Sequence, residues 1–196
     1  MSDWNEYALL VIDAQHDFWP DEVARTAPGM PTAMAGLLKT CRAEGIEVIH
    51  VHARFQPDMS DWMARYRLRG RIPCVVGTPG VEPLDFAAAE PGETVLVKQT
   101  FDAFLRTDLD ALLRARGKRF LFVAGLVTST CVLFTAASAT QLGYLVAVVE
   151  DCCADQGDAH ERTLRAYPFV FSTTESLRLR DERDQWEAQL AKLGTG

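Results

Sequence analysis

The sequence predicts an open α/β fold: a mostly parallel six-stranded sheet with helices on both faces. Three observations carry that prediction. Short apolar runs alternate with segments of helical length along the whole chain. Most of the runs are continuously apolar rather than alternating, the pattern of strands covered on both faces. Glycines follow several helical segments and precede the next run, where a left-handed residue stops a helix. Repeated strand-helix alternation of this kind implies right-handed crossovers and parallel neighbours.

Taken in order, "YALLVID" (7–13) is the first strand, and a helix over 31–44 stops at Gly45 before "EVIHVHA" (47–53). The segment 54–93 breaks the rhythm, with Pro57, Pro73, Pro79, Pro83 and Pro91 and only a short helical candidate at 58–68. It is too long for a plain connection, and reads either as surface elaboration or as a lid over the sheet. "TVLVK" (94–98) resumes the pattern, followed by a helix at 103–116 and Gly117. "FLFVAG" (120–125), a helix at 129–142, Gly143 and "YLVAVVED" (144–151) come next. A helix at 158–167, a strand at "FVFS" (169–172) and a helix at 175–192 complete the chain. With 196 residues and no internal repeat, a single domain over 1–196 is expected.

The net charge of -7 removes the electrostatic reason to bind nucleic acid or an anionic membrane. The start "MSDWNEY" is acidic and aromatic rather than basic and apolar, and no apolar run approaches the roughly 20 residues of a membrane span. A cytoplasmic protein acting on a small molecule is the expectation. The five cysteines lack paired CxxC spacing and read as reduced thiols, with Cys152 and Cys153 as two small residues at a strand end. No GxGxxG follows the first strand and no GxxxxGK[ST] occurs, so a dinucleotide module is disfavoured.

In an open parallel sheet, ligands bind beyond the carboxyl ends of the strands. Asp13 closes the first strand, Lys98 closes the third, and Cys131 follows the fourth in "FLFVAGLVTSTC". The three form a chemical set. A thiol is mostly neutral at pH 7, and a nearby cation or helix N-terminus lowers its pKa. Lys98 would supply the cation, and Ser129 or Thr130 would cap the helix whose first turn holds Cys131. Asp13 would take the thiol proton and later serve a leaving amine or a water. Backbone N–H groups of the same turn would hold a tetrahedral oxyanion. The bland alternatives are packing for Cys131, a loop cap for Asp13 and an exposed strand end for Lys98.

At this point the sequence resembles the isochorismatase-like cysteine hydrolases, the family of nicotinamidases, N-carbamoylsarcosine amidase and biuret hydrolase. "LLVIDAQHDF" is similar to the family's first-strand motif, "VLVKQTFDAFLRTDLDALL" to its lysine segment, and "GLVTSTCVLFTAASATQLGYLVAVVEDCCAD" to its nucleophile segment. "GTPGVE" (77–82) resembles a further landmark. The resemblance implies a Rossmann-like sheet, a catalytic set of Asp13, Lys98 and Cys131, and assembly as a homodimer or homotetramer. It also implies a non-proline cis peptide at Leu126–Val127 and an oxyanion site near Val127, Thr130 and Cys131.

The departures matter as much. Where nicotinamidases of this family carry an Asp-x-His metal motif, this chain has Arg54 and Gln56, and no His occurs between His52 and His160. The expectation is therefore no metal and no cofactor, with His50 and His52 structural. Retention of Cys131 favours C–N hydrolysis over the vinyl-ether chemistry of some isochorismatase branches, in which Asp13 alone would suffice. A non-catalytic small-molecule binder of the same fold is the third reading. For the substrate, Phe18, Trp19, Arg54, Gln56, Trp62 and Phe101 are the candidate contacts. Arg65, Arg67, Arg69 and Arg71 in "ARYRLRGR" are candidate carboxylate forks if the irregular segment folds over the site.

Overall fold

The computed structural model describes residues 4–194. Six strands, β1 (Tyr7–Ile12), β2 (Glu47–Ala53), β3 (Thr94–Lys98), β4 (Phe120–Leu126), β5 (Leu145–Ala154) and β6 (Ser172–Thr174), form one sheet. Their order is β3-β2-β1-β4-β5-β6, and every neighbouring pair is parallel. The order reverses between β1 and β4, so a crevice opens where their carboxyl ends part.

β1 shows why the apolar runs are continuous. All six of its residues are buried, and alternate ones feed two separate cores. Leu9 and Val11 pack with Met34, Leu37 and Leu38 of α2 (Met30–Glu44) and with Trp186 of α7 (Leu179–Lys192). Leu10 and Ile12 face the other way, onto Leu109 and Leu113 of α4 (Leu109–Ala115) and Ala136 and Ala139 of α5 (Leu133–Gln141). Each fully buried aliphatic side chain contributes about 1.5–3 kcal/mol, so a polar residue on either face of β1 would be costly. Cys152 and Cys153 divide in the same manner, one into each core. All five cysteines are free thiols.

The expected helix stops hold, with Gly45, Gly117 and Gly143 at positive φ. Several boundaries differ from the sequence reading. The helix expected from 103 starts only at Leu109, because side chains there bond the backbone instead. Asp102 accepts the Phe104 N–H, and the Thr100 and Thr107 hydroxyls donate to carbonyls, a competition that disfavours helix. The helix expected from 129 opens as a π turn, Thr128–Val132. The last strand falls on Ser172–Thr174 rather than 169–172, since register with Ala147–Val149 of β5 decides an edge strand and Phe169 is left exposed. The short helix expected at 58–68 is α3 (Ala64–Arg69), and α1 (Asp21–Thr26) and α6 (Ala159–Ala166) flank the sheet.

Segment 54–93 is tied to the end of β1 rather than hanging free. The buried Gln15 amide donates to Val81 O at 2.7 Å and to Ala53 O at 2.9 Å. Asp17 accepts the Cys74 N–H at 2.6 Å. Gly80 is required here: a Cβ at that position would lie 2.0 Å from the Asp17 carboxyl carbon. Phe55, Trp62, Cys74 and Val81 form a third apolar cluster inside the segment.

Candidate active site

Asp13 leaves β1 with φ of 47°, a left-handed conformation that a non-glycine residue adopts at a cost of about 1–3 kcal/mol. Three hydrogen bonds hold it there: its N–H to Val51 O and its carbonyl to the Gln15 N–H, both 2.8 Å, and Oδ1 to the Ala53 N–H, also 2.8 Å. Gly125 of β4 makes room for this bend. With φ of 124°, a side chain there would bring Cβ within 2.0 Å of the Ile12 carbonyl.

Lys98 closes β3 in register with Ala53, and its side chain is 1% exposed. The ammonium reaches Asp13 Oδ2 at 2.6 Å, Thr100 O at 2.8 Å and Cys131 Sγ at 3.6 Å. An ammonium has three N–H donors, and here each has an acceptor. Cys131, buried in the π turn after β4, also lies close enough to the Asp13 carboxyl for the two to shift each other's pKa. The three residues that the sequence places at strand ends therefore meet in one buried cluster at the switch point.

The electrostatics differ from the sequence expectation at Cys131. Burial first, and then the negative charge of Asp13, push its thiol well above the usual range, against the weaker pull of Lys98. Burial likewise raises the Asp13 carboxyl, opposed by Lys98 and by hydrogen bonds from Cys131, Lys98 and Ala53. For Lys98, burial pulls downward, but the charge of Asp13 and the hydrogen bonds to Asp13 and Cys131 outweigh it and the ammonium is held. These directions favour a thiol at Cys131 and an ammonium at Lys98, and with Asp13 ionised the cluster carries no net charge. Sequence gives the neighbours of a thiol but not how deeply it is buried, and depth decides the sign here.

A cavity of about 110 Å³ opens onto Sγ. Its walls are Phe18, Phe55, Met63, Tyr66, Ile72 and Phe101, with Val127, Thr130 and Thr100 nearer the floor. Of the substrate contacts expected from sequence, Phe18 and Phe101 line it. Trp19 packs edge-on against Phe86 at 5.6 Å instead. Trp62 is buried in the third cluster, its indole N–H bonded to Gln56 O, and Arg54 and Gln56 are exposed outside the lining. All four arginines of "ARYRLRGR" are exposed and none lines the cavity. Larger hollows exist elsewhere, including one of about 580 Å³ beside Glu6, Arg119 and Glu187, but they lie away from the thiol.

The peptide between Leu126 and Val127 is cis. Leu126 is fully buried, and Thr130 directs its N–H to Val127 O at 3.1 Å. No side chain caps the turn in the manner expected of Ser129 or Thr130. Support comes instead from two residues that the sequence reading missed. Asp155, at the end of β5, accepts the Ser129 N–H at 2.7 Å, and His160 of α6 pairs through Nδ1 with Thr128 Oγ1 at 2.8 Å. The available signal was Asp155 itself, a charged residue just past an apolar strand at the same sheet edge. Phe55 and Tyr66 had no such signal, because the irregular segment shows no period.

His50 has a carboxylate partner: Nε2 lies 3.0 Å from Glu93 Oε2. That carboxylate is also gripped by Arg42 at 2.8 and 2.9 Å, so the contact ties β2 to α2. His52 is pulled down to about 4 by burial, then by His50 and Arg54. Among the described residues, no three His, Cys, Asp or Glu side chains are grouped to hold a metal ion. No helix among them is long and apolar enough to cross a membrane.

A doubly wound parallel sheet that gathers a carboxyl, an ammonium and a thiol at its switch point is the architecture of α/β proteins that bind ligands at their strand ends. The chain matches the isochorismatase domain over residues 7–176; it belongs to the isochorismatase family and is an isochorismatase-like hydrolase. It is 34% identical to maleamate amidohydrolase of Pseudomonas putida over 165 residues, covering 80% of this chain and 76% of that protein. An isochorismatase family protein from Desulfovibrio vulgaris superposes with a TM-score of 0.81 at 37% identity, over 90% of this chain and 97% of the other. N-carbamoylsarcosine amidase from Thermoplasma acidophilum gives 0.73 at 28% identity, over 87% and 96% of the two chains.

Proposed function

We propose that the protein is a metal-independent cysteine hydrolase that cleaves the C–N bond of a small amide, ureide or N-carbamoyl compound through a thioester on Cys131. The observation that carries this reading is the buried contact of Asp13, Lys98 and Cys131 beside a mostly apolar cavity that opens onto the thiol. Relatives named for amide hydrolysis support it. Arg54 and Gln56 stand where the resemblance would put metal ligands, and both are exposed outside the cavity.

Because the thiol rests protonated, attack begins with transfer of its proton to Asp13, whose raised pKa suits it to the task. Sγ then bonds to the carbonyl carbon, and the charge on oxygen is taken by backbone N–H groups of Val127 and Cys131. Thr130 has its N–H engaged elsewhere. Asp13 returns the proton to the leaving nitrogen as the C–N bond breaks. A water, losing a proton to Asp13, attacks the thioester carbonyl; the C–S bond breaks, the acid leaves and Asp13 returns the proton to Sγ. Lys98 stays charged throughout and stabilises whichever of Asp13 or Sγ is anionic.

Ammonia release from a panel of small amides, ureides and N-carbamoyl compounds tests this, wild type against Cys131→Ala. Release that vanishes in the variant is expected. Release that persists in it, or isochorismate cleavage that depends on Asp13 but not Cys131, would overturn the thioester reading.

A further inference from the structure

We infer that the acyl part of the substrate is uncharged, flat and about the size of one ring, so the enzyme selects against amides that carry a second carboxylate. This deepens the proposed function and rests on its placing the substrate carbonyl at Sγ. The relative named for maleamate acts on an anionic monoamide, so the inference separates this chain from that protein.

The cavity lining holds one charged residue, Lys98. Its ammonium is already committed to Asp13, Thr100 and Cys131, and with Asp13 ionised the cluster carries no net charge toward a ligand. A carboxylate entering this space would lose its water without gaining a cation, an unfavourable exchange in an apolar site. The hydroxyls do not change that. Thr100 Oγ1 donates to Asp102 O at 2.6 Å. The Tyr66 phenol is pushed upward by burial. With the Thr130 hydroxyl of the same lining it offers single hydrogen-bond donors and no second positive charge to balance a carboxylate.

The arginines that could have served a carboxylate do not reach in. Arg65, Arg67, Arg69 and Arg71 are exposed, as is Arg54, and their charges act across solvent, where screening is strong. The walls instead suit a planar group. Tyr66 and Phe101 meet edge to face at 6.1 Å, and Phe101 stacks on Phe134 at 6.0 Å. The volume of about 110 Å³ is of the order of cavities that hold a benzene ring, roughly 150 Å³.

The test compares pairs of nearly equal size that differ in charge: fumaramide with fumaramate, and 4-nitrobenzamide with 4-carboxybenzamide. In the wild-type enzyme, kcat/KM for the neutral member is expected to exceed that of the anion by about 100-fold or more. Titration of the same amides into Cys131→Ala reads pocket preference without chemistry, and tighter binding of the neutral members is expected there too. Equal or tighter binding of the anions would overturn the inference, whatever the turnover. Preference for neutral members in binding, with no thiol-dependent turnover of any amide, would leave the inference standing and sink the thioester reading instead.

Discussion

Replacing Lys98 with Met should turn the stability of this protein into a pH meter for Asp13. The ammonium is 1% exposed and lies 2.6 Å from Oδ2 of a carboxyl that is itself fully buried. Removing one partner of a buried ion pair costs about 3–5 kcal/mol, because the remaining charge is left without compensation. Asp13 has a way to limit that cost. Its pKa is already raised by burial, and without Lys98 it rises further, so the native carboxyl binds a proton that the unfolded aspartate, near 3.9, does not. With one extra proton on the native state, stability falls as pH rises, with a slope approaching about 1.4 kcal/mol per pH unit. Between pH 5 and 7 the variant should therefore lose about 2–3 kcal/mol relative to its own acid value, a steeper fall than the parent's, in which Lys98 pulls the raised Asp13 carboxyl back toward ionisation. Urea unfolding at half-unit pH steps measures it. The double variant Asp13→Asn, Lys98→Met, with neither charge buried, should be more stable at pH 7 than Lys98→Met alone. A single variant within about 1 kcal/mol of wild type, with an unchanged pH slope, would refute the claim that the pair is desolvated.

Two further outcomes follow from contacts outside the triad. Burial pushes the Glu93 carboxyl upward, but hydrogen bonds from Arg42, the Glu90 N–H and His50 outweigh it and hold the value at about 2, below the usual 4.5. For such a depressed acid the stabilisation is complete above the unfolded value and is lost as pH falls from about 4.5 to about 2. Glu93→Gln should remove about 2 kcal/mol at pH 7, discounted for its partial exposure, and flatten the acid limb of the thermal unfolding profile. At the turn that carries Cys131, Asp155→Ala removes the acceptor of the Ser129 N–H and should, on the proposed mechanism, lower kcat about 10-fold or more with KM little changed. Asp155→Asn retains an acceptor oxygen and should recover most of that loss; equal damage in both variants would point to general instability rather than placement of Cys131.

How much of this could be read from the chain depended on where each residue broke a pattern. Asp13, Lys98 and Cys131 were legible because each ends or follows a run that should be apolar, and the parallel order sends all those ends to one edge. The α4 and β6 boundaries were not, because Asp102, Thr100 and Thr107 redirect the backbone locally and an edge strand is fixed by its partner's register. The cavity walls were hidden for a different reason. Phe55, Met63, Tyr66 and Ile72 come from a segment without helical or strand period, so only its tethers to Gln15 and Asp17 bring them over the thiol. Those same walls reverse the sign of the Cys131 shift by excluding water. A nucleophile that rests as thiol beside a carboxylate needs no high standing population of thiolate. It needs the proton to move when a carbonyl arrives, and the same desolvation that suppresses the free thiolate strengthens the pull of Lys98 and the oxyanion donors at that moment. Burial that disfavours the anion in the empty site is therefore compatible with fast attack in the filled one, and alkylation of Cys131 by a small neutral reagent at pH 7 should be slower than turnover of a fitting amide.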